Sequence, residues 1–221
     1  MKIPNLIERI ELQRKTPPKE ILPYDNFLEK LGSALALFSF VEKKAKDKRI
    51  KLEARKYVIV VCVSDMETYF KSVVKTFVDL GLAADDIFSI FKDDKYSLGG
   101  LYEMGKRRIS IGEIISVSHS FQDMDTINRV FSKMLSVDDF IAEVAEHRVV
   151  IDEDIFSEGF VLKDDYPDFR EQINELIHAR HLIVHHEGIN RLGLKRFGRM
   201  WMSIVRFVTA ADSFLGEKAK G

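Results

Sequence analysis

The stretch ELIHARHLIVHHEG, residues 175–188, decides the fold and holds four of the six histidines in the chain. Pro167, which precedes it, suits the first turn of a helix, and Asp168 suits the positive end of a helix dipole. Gly188 suits the left-handed position at which helices commonly end. The sequence therefore predicts one helix that begins near Pro167 and ends at Gly188.

Arg180 lies in the middle of the apolar face of this predicted helix. At about 100° per residue, apolar side chains form that face, at Phe169, Ile173, Leu176, Ile177, Ile183 and Val184. The other side carries His178, His181 and His185, whereas His186 lies off both groups. An arginine cannot stay dry and unpaired, because its desolvation is costly. Either it meets a carboxylate, a phosphate or water in a cleft, or its stem lies on the core and its head reaches solvent.

Charge and cysteine content limit the classes of function. The chain has 221 residues, a formal net charge of −1 and one cysteine, Cys62. The near-neutral charge provides no overall basic field for nucleic acid, so any site for a polyanion must be a local patch. Residues 1–20 lack the apolar segment of a signal peptide, and no run is apolar enough to span a membrane. We expect a soluble cytoplasmic protein without a membrane partner.

Helical spacing of apolar residues recurs along most of the chain. A helix is predicted from Asn26, as its cap, to about Val41, and the chain is expected to break at Gly99 and Gly100. Residues 57–63 are rich in β-branched side chains, which favour a strand, but helical spacing follows them to Leu80 without an intervening turn residue. We therefore predict one long helix there. Shorter helices are predicted over residues 84–91, from Asp123 or Asp125 to residue 135, and over residues 137–144.

The predicted fold class is all-α, a helical bundle. Residues 1–22 are charged and rich in proline, so we treat them as an N-terminal arm and residues 23–221 as a single domain. Within the long helix, Asp65 and Glu67 are acidic groups flanked by apolar residues. Either both face solvent or one of them pairs with Arg180.

A basic face is predicted on the last helix, which should begin near Arg191. It is formed by Arg191, Lys195, Arg199 and Arg206, which cluster on one side of the helical wheel. A solvated helix face is one explanation, and a surface that steers phosphate groups is the other.

Three segments of the chain resemble the HEPN superfamily. Residues 180–185, RHLIVH, have the form of its signature, an arginine, a polar residue and a histidine after four to six intervening positions. Residues 64–71, SDMETYFK, resemble its early helix, in which an acidic residue lies four before a basic one. Residues 121–131, FQDMDTINRVF, resemble the mid-domain segment of longer HEPN variants. The resemblance spans roughly residues 25–215.

This resemblance implies an all-α bundle of HEPN type, with the signature helix near the C-terminus at a homodimer interface. Catalytic members cleave RNA without a metal or other cofactor, and many act in toxin–antitoxin or antiviral systems, some with an inhibitory protein partner. Here the resemblance implies that His185 moves protons and that Arg180 stabilises the charge on the phosphate. It implies further that His181 orients the site or hydrogen-bonds RNA, and that Glu67 holds Arg180. His186 also satisfies the signature spacing, although His185 follows the commonest gap and lies one turn from His181.

Three other interpretations also fit the sequence. In the first, the chain is a HEPN module that no longer cleaves and instead binds a nucleotide, RNA or a protein partner. In the second, His178, His181 and His185 bind a metal ion, although no HExxH order is present. In the third, the chain is a helical scaffold without catalytic activity.

Overall fold

The computed structural model describes residue 10 and residues 23–91, 97–150, 159–185 and 192–220 of the chain. It confirms the all-α class, because within these ranges helices are joined by short connections and the only strands form one antiparallel pair. The α-helices are α1 (Pro23–Lys44), α2 (Lys48–Asp79), α3 (Leu98–Lys106), α4 (Ile111–Ser118), α5 (Met124–Leu135), α6 (Phe140–Glu146), α7 (Leu162–Asp165), α8 (Phe169–Val184) and α9 (Leu194–Lys218). A 3-10 helix spans Asp85–Phe91, and the strands are β1 (Arg148–Val149) and β2 (Phe160–Val161).

Helix α2 is the central element of the bundle. It runs for 32 residues, so the prediction of one long helix through residues 57–63 is confirmed. The β-branched residues are accommodated because Val58, Ile59 and Val63 are fully buried, and this burial outweighs their weak preference for strands. Helices α1, α4, α8 and α9 all pack against it.

Local side-chain caps explain where several helices begin. Asp47 caps α2, Asp123 caps α5 and Asp139 caps α6, each by accepting a hydrogen bond from a backbone N–H of the first turn. Ser110 and Glu113 form a reciprocal capping box at the start of α4.

Two sequence-based predictions about helix starts are wrong. Helix α1 begins at Pro23 and not at an Asn26 cap, because proline itself suits the first helical position. Gly99 and Gly100 do not break the chain, since they lie in the first turn of α3, where the Ser97 hydroxyl accepts a hydrogen bond from the Gly100 N–H. A good cap outweighs the low helix propensity of glycine at that position.

A second, smaller apolar cluster lies apart from the main core. Ile10, from the predicted arm, is buried in it together with Met104 of α3 and Val117 of α4. In the described ranges, no helix combines the length and the apolar character that crossing a membrane requires.

Candidate functional site

Helix α8, which carries the signature residues, is held between α2 and α9. Phe169 stacks on Phe207 of α9 with ring centroids 5.9 Å apart. Further along, the Ser203 hydroxyl donates a hydrogen bond of 2.6 Å to the side-chain oxygen of Gln172. One turn later Arg196 of α9 forms an ion pair with Glu175. These contacts fix the rotation of α8 about its axis and thereby the direction in which its last two turns present their side chains.

Arg180 is half-buried at the C-terminal end of α8, and its Nε atom is buried without a hydrogen-bond partner. Among the described residues its guanidinium forms no ion pair with any carboxylate. The predicted ion pair between Arg180 and Glu67 is therefore wrong. Arg180 and Glu67 both lie in the described part of the chain, and the carboxylate oxygens of Glu67 contact Lys71 and Gln122 instead.

Glu67 joins two of the segments on which the family resemblance rests. One carboxylate oxygen lies 2.7 Å from the ammonium group of Lys71, one turn along α2, and the other accepts a hydrogen bond from the Gln122 amide. The side chains of Glu67 and Lys71 are only 13% and 18% exposed. Glu67 thus positions the residues before α5 against α2. Neither Asp65 nor Glu67 is solvent-exposed, so the solvent-facing alternative is wrong as well.

His181 and His185 form an exposed pair of imidazoles at the end of α8. Their ring centroids are 4.3 Å apart with an interplanar angle of 48°, which confirms the predicted contact one turn apart. His185 ends the helix, and its backbone N–H donates a hydrogen bond of 3.0 Å to the His181 carbonyl. His178 is exposed one turn earlier. His186, the alternative catalytic histidine, lies outside the described residues.

The residues of the predicted basic face of α9 differ in their exposure and in their contacts. Lys195 and Arg199 are exposed and have no ion-pair partner in the described ranges. Arg206 is half-buried, and its guanidinium carbon lies 3.5 Å from the centre of the Tyr166 ring. Arg206 therefore helps to attach the connection before α8 to α9. Arg191 falls outside the described residues.

No three-ligand metal site is found in the described part of the chain, where no group of three or more His, Cys, Asp or Glu side chains is suitably placed. Cys62 is fully buried, and burial raises the pKa of its thiol well above the usual range, so it is held as an inert thiol. A surface cleft of about 500 Å³ lies along α5, lined by residues that include Asp125, Arg129 and Lys133. None of the candidate catalytic residues lines it.

Two side chains of this region were not assigned a role from the sequence. Gln122 and Glu67 are 55 positions apart in the sequence, so no local sequence pattern predicts their contact. Tyr166 lies just before the predicted helix, and its contact with Arg206 depends on how α8 and α9 pack. The ion pair of Glu67 with Lys71, in contrast, is readable from their i, i+4 spacing.

Comparisons of the chain with protein-family models, with curated proteins and with solved structures found no match. The residues of α8 and its neighbours are therefore the features of the chain from which a function can be inferred.

Proposed function

We propose that the protein is a metal-independent endoribonuclease of HEPN type. The observation that carries the proposal is the half-buried side chain of Arg180. Its guanidinium has a buried Nε atom and no anionic partner among the described residues, and it lies within two turns of two exposed imidazoles. A partly desolvated cation without a carboxylate is stabilised by an anion from outside, and a phosphodiester is such an anion.

The proposed reaction divides the chemistry between these groups. The ribose 2′-oxygen attacks the adjacent phosphorus while a histidine, His185 in our assignment, accepts the 2′-hydroxyl proton. Negative charge develops on the phosphoryl oxygens, where the guanidinium of Arg180 stabilises it. The bond from phosphorus to the 5′-oxygen breaks, and that oxygen leaves with a proton. The products are a 2′,3′-cyclic phosphate and a free 5′-hydroxyl.

In this proposal two chains pair through α8, so that two signature ends face one another across an RNA cleft. His181 lies against His185 and hydrogen-bonds RNA or orients the catalytic ring. Lys195 and Arg199 contact the RNA backbone as it leaves the cleft. A role in a toxin–antitoxin or antiviral system, with a protein that masks the cleft, belongs to the same proposal.

The test is cleavage of a mixed RNA pool in the presence of EDTA by the wild type, Arg180→Ala, His185→Ala and His186→Ala. His178→Ala is the matched control, because this histidine is exposed on the same helix but does not form part of the ring pair. We expect cutting that survives the chelator, leaves cyclic phosphate ends and is lost in Arg180→Ala and in one of the two candidate histidine variants.

The same preparations report the oligomeric state. A dimeric mass for the wild type is expected at micromolar concentration. If a folded wild-type dimer does not cut any RNA, the proposal fails and a non-catalytic module that binds a nucleotide, RNA or protein takes its place.

A further inference from the structure

We infer that His181 and His185 form a two-ligand site for a divalent transition-metal ion of the zinc class, and that this ion inhibits the proposed nuclease. Metal binding follows from the two rings themselves, whereas the inhibition rests on the proposed function. The site differs from a catalytic metal centre, since the bound ion occupies nitrogens that the reaction needs.

The separation of the two rings is close to that of a chelate. The ring centroids are 4.3 Å apart, and both side chains are exposed. Two imidazoles on one tetrahedral ion, with metal–nitrogen distances of about 2.1 Å, place their ring centres about 5 Å apart. The rings need to open by about 1 Å and to turn one nitrogen each toward a common point, and exposed side chains make such a movement at little cost.

The surroundings of the pair also favour a cation. His181 lies in the last turn of α8, where the negative end of the helix dipole stabilises positive charge. Neither ring is engaged in a hydrogen bond or ion pair with the described residues. Their nitrogens are therefore available as ligands. Among the described residues, no third His, Cys, Asp or Glu side chain joins the pair in a metal-binding group.

An ion held there removes the lone pair with which His185 would accept a proton. Imidazole ligands suit zinc, nickel and copper(II), whereas magnesium prefers oxygen ligands. The inference therefore predicts inhibition by zinc and nickel but not by magnesium, and it predicts that a chelator raises the activity of protein that carries trace zinc.

The decisive experiment is calorimetric titration of the full chain with zinc chloride in the absence of RNA. We expect binding by the wild type and by the control His178→Ala with affinities within about twofold, and affinities at least about tenfold lower for His181→Ala and His185→Ala, which lose one of two ligands. His181→Gln, which keeps about the size of the side chain, should also lose affinity. An unfolding transition unchanged from that of the wild type shows that this loss is not caused by misfolding. No binding heat, or binding that is unchanged in both ring variants, overturns the inference.

A second measurement separates this inference from the proposed function. Zinc should inhibit RNA cleavage by the wild type and by His178→Ala to the same degree, whereas magnesium should inhibit neither. Zinc binding that depends on both rings in a protein that never cuts RNA would leave the metal site intact and remove the nuclease. RNA cleavage that zinc does not inhibit overturns the regulatory role alone.

Discussion

The Asp65 carboxylate lies 3.7 Å from the Lys30 ammonium group across the interface of α1 and α2. Asp65 is buried and its Oδ2 has no hydrogen-bond partner. Burial raises the pKa of the Asp65 carboxyl, and the attraction of Lys30 only partly offsets this shift. The folded protein therefore holds this proton more tightly than the unfolded chain does.

The sign of the resulting pH dependence follows from the raised pKa. The stability associated with the protonated carboxyl is fully present below the pKa of the unfolded chain and is lost as pH rises through the higher folded pKa. Asp65→Asn should remove this pH dependence of stability. It should raise the free energy of unfolding at neutral pH by less than about 1 kcal/mol. Urea unfolding from acidic to neutral pH measures it. Lys30→Met is the matched variant, and it should destabilise the protein at neutral but not at acidic pH.

Gly112 lies at a close approach of α4 to α2. A Cβ atom there would lie 2.5 Å from the Lys75 carbonyl oxygen and 2.6 Å from Asp79 Oδ1. Gly112→Ala should therefore lower the free energy of unfolding by about 1–3 kcal/mol, since backbone has to move. Gly105→Ala is the control, because a Cβ at Gly105 meets nothing within 4 Å, and this helical substitution should stabilise by up to about 1 kcal/mol. Equal effects of the two substitutions in thermal or urea unfolding would contradict the close approach.

Glu67 should be energetically coupled to Lys71 and not to Arg180. A double-mutant cycle of Glu67→Gln with Lys71→Met should give a coupling free energy of about 0.5–1 kcal/mol in unfolding experiments. The cycle of Glu67→Gln with Arg180→Met should give less than about 0.3 kcal/mol. A larger coupling in the second cycle would show that the two side chains meet after all.

If the protein binds RNA as proposed, the basic residues of α9 should contribute unequally to the affinity. Lys195→Gln and Arg199→Gln should each reduce the slope of log affinity against log salt concentration by about 1, because both side chains are exposed and unpaired in the described ranges. Arg206→Gln should reduce this slope less, since the guanidinium of Arg206 already stacks on Tyr166. Fluorescence anisotropy with a labelled single-stranded RNA measures the three slopes, and equal slopes for all variants and the wild type would exclude this face.

Arg206→Gln should act mainly on stability. Loss of its stacking on Tyr166 should lower the free energy of unfolding by about 0.5–1 kcal/mol. Tyr166→Leu keeps an apolar contact but removes the aromatic face, and it should cost a similar amount. If neither substitution changes the unfolding transition, the stacked pair does not hold the connection before α8.

The sequence predicted the helices well because apolar periodicity extends over long segments. The continuous helix through residues 57–63 followed from the apolar spacing beyond them, although local propensity favoured a strand. The wheel placed Arg180 on the buried side and the His181–His185 pair on the exposed side, since both facts depend on one helix alone. The starts of α1 and α3 were misjudged, where a proline and a serine cap act within a single turn. The end of α8 was misjudged too, because this helix ends at Val184 and not at Gly188.

Contacts between helices were not predictable in the same way. A helical wheel fixes the direction of Arg180 around its own axis but not its height relative to Glu67 on α2. The register between two helices depends on how side chains such as Phe169 and Phe207 fit together, and no local pattern encodes it. For the same reason the stacking of Arg206 on Tyr166 and the contact of Gln122 with Glu67 were missed.

The close crossing at Gly112 has a consequence for the evolution of the chain. Its N–H donates a hydrogen bond of 3.0 Å to Asp79, whose other oxygen accepts a hydrogen bond of 2.8 Å from the Ser110 hydroxyl. Descendants of this protein can exchange most apolar residues of the core for others of similar volume. Wherever they keep this crossing, however, they must also keep a residue without a side chain on one helix and a hydrogen-bond acceptor opposite it on the other.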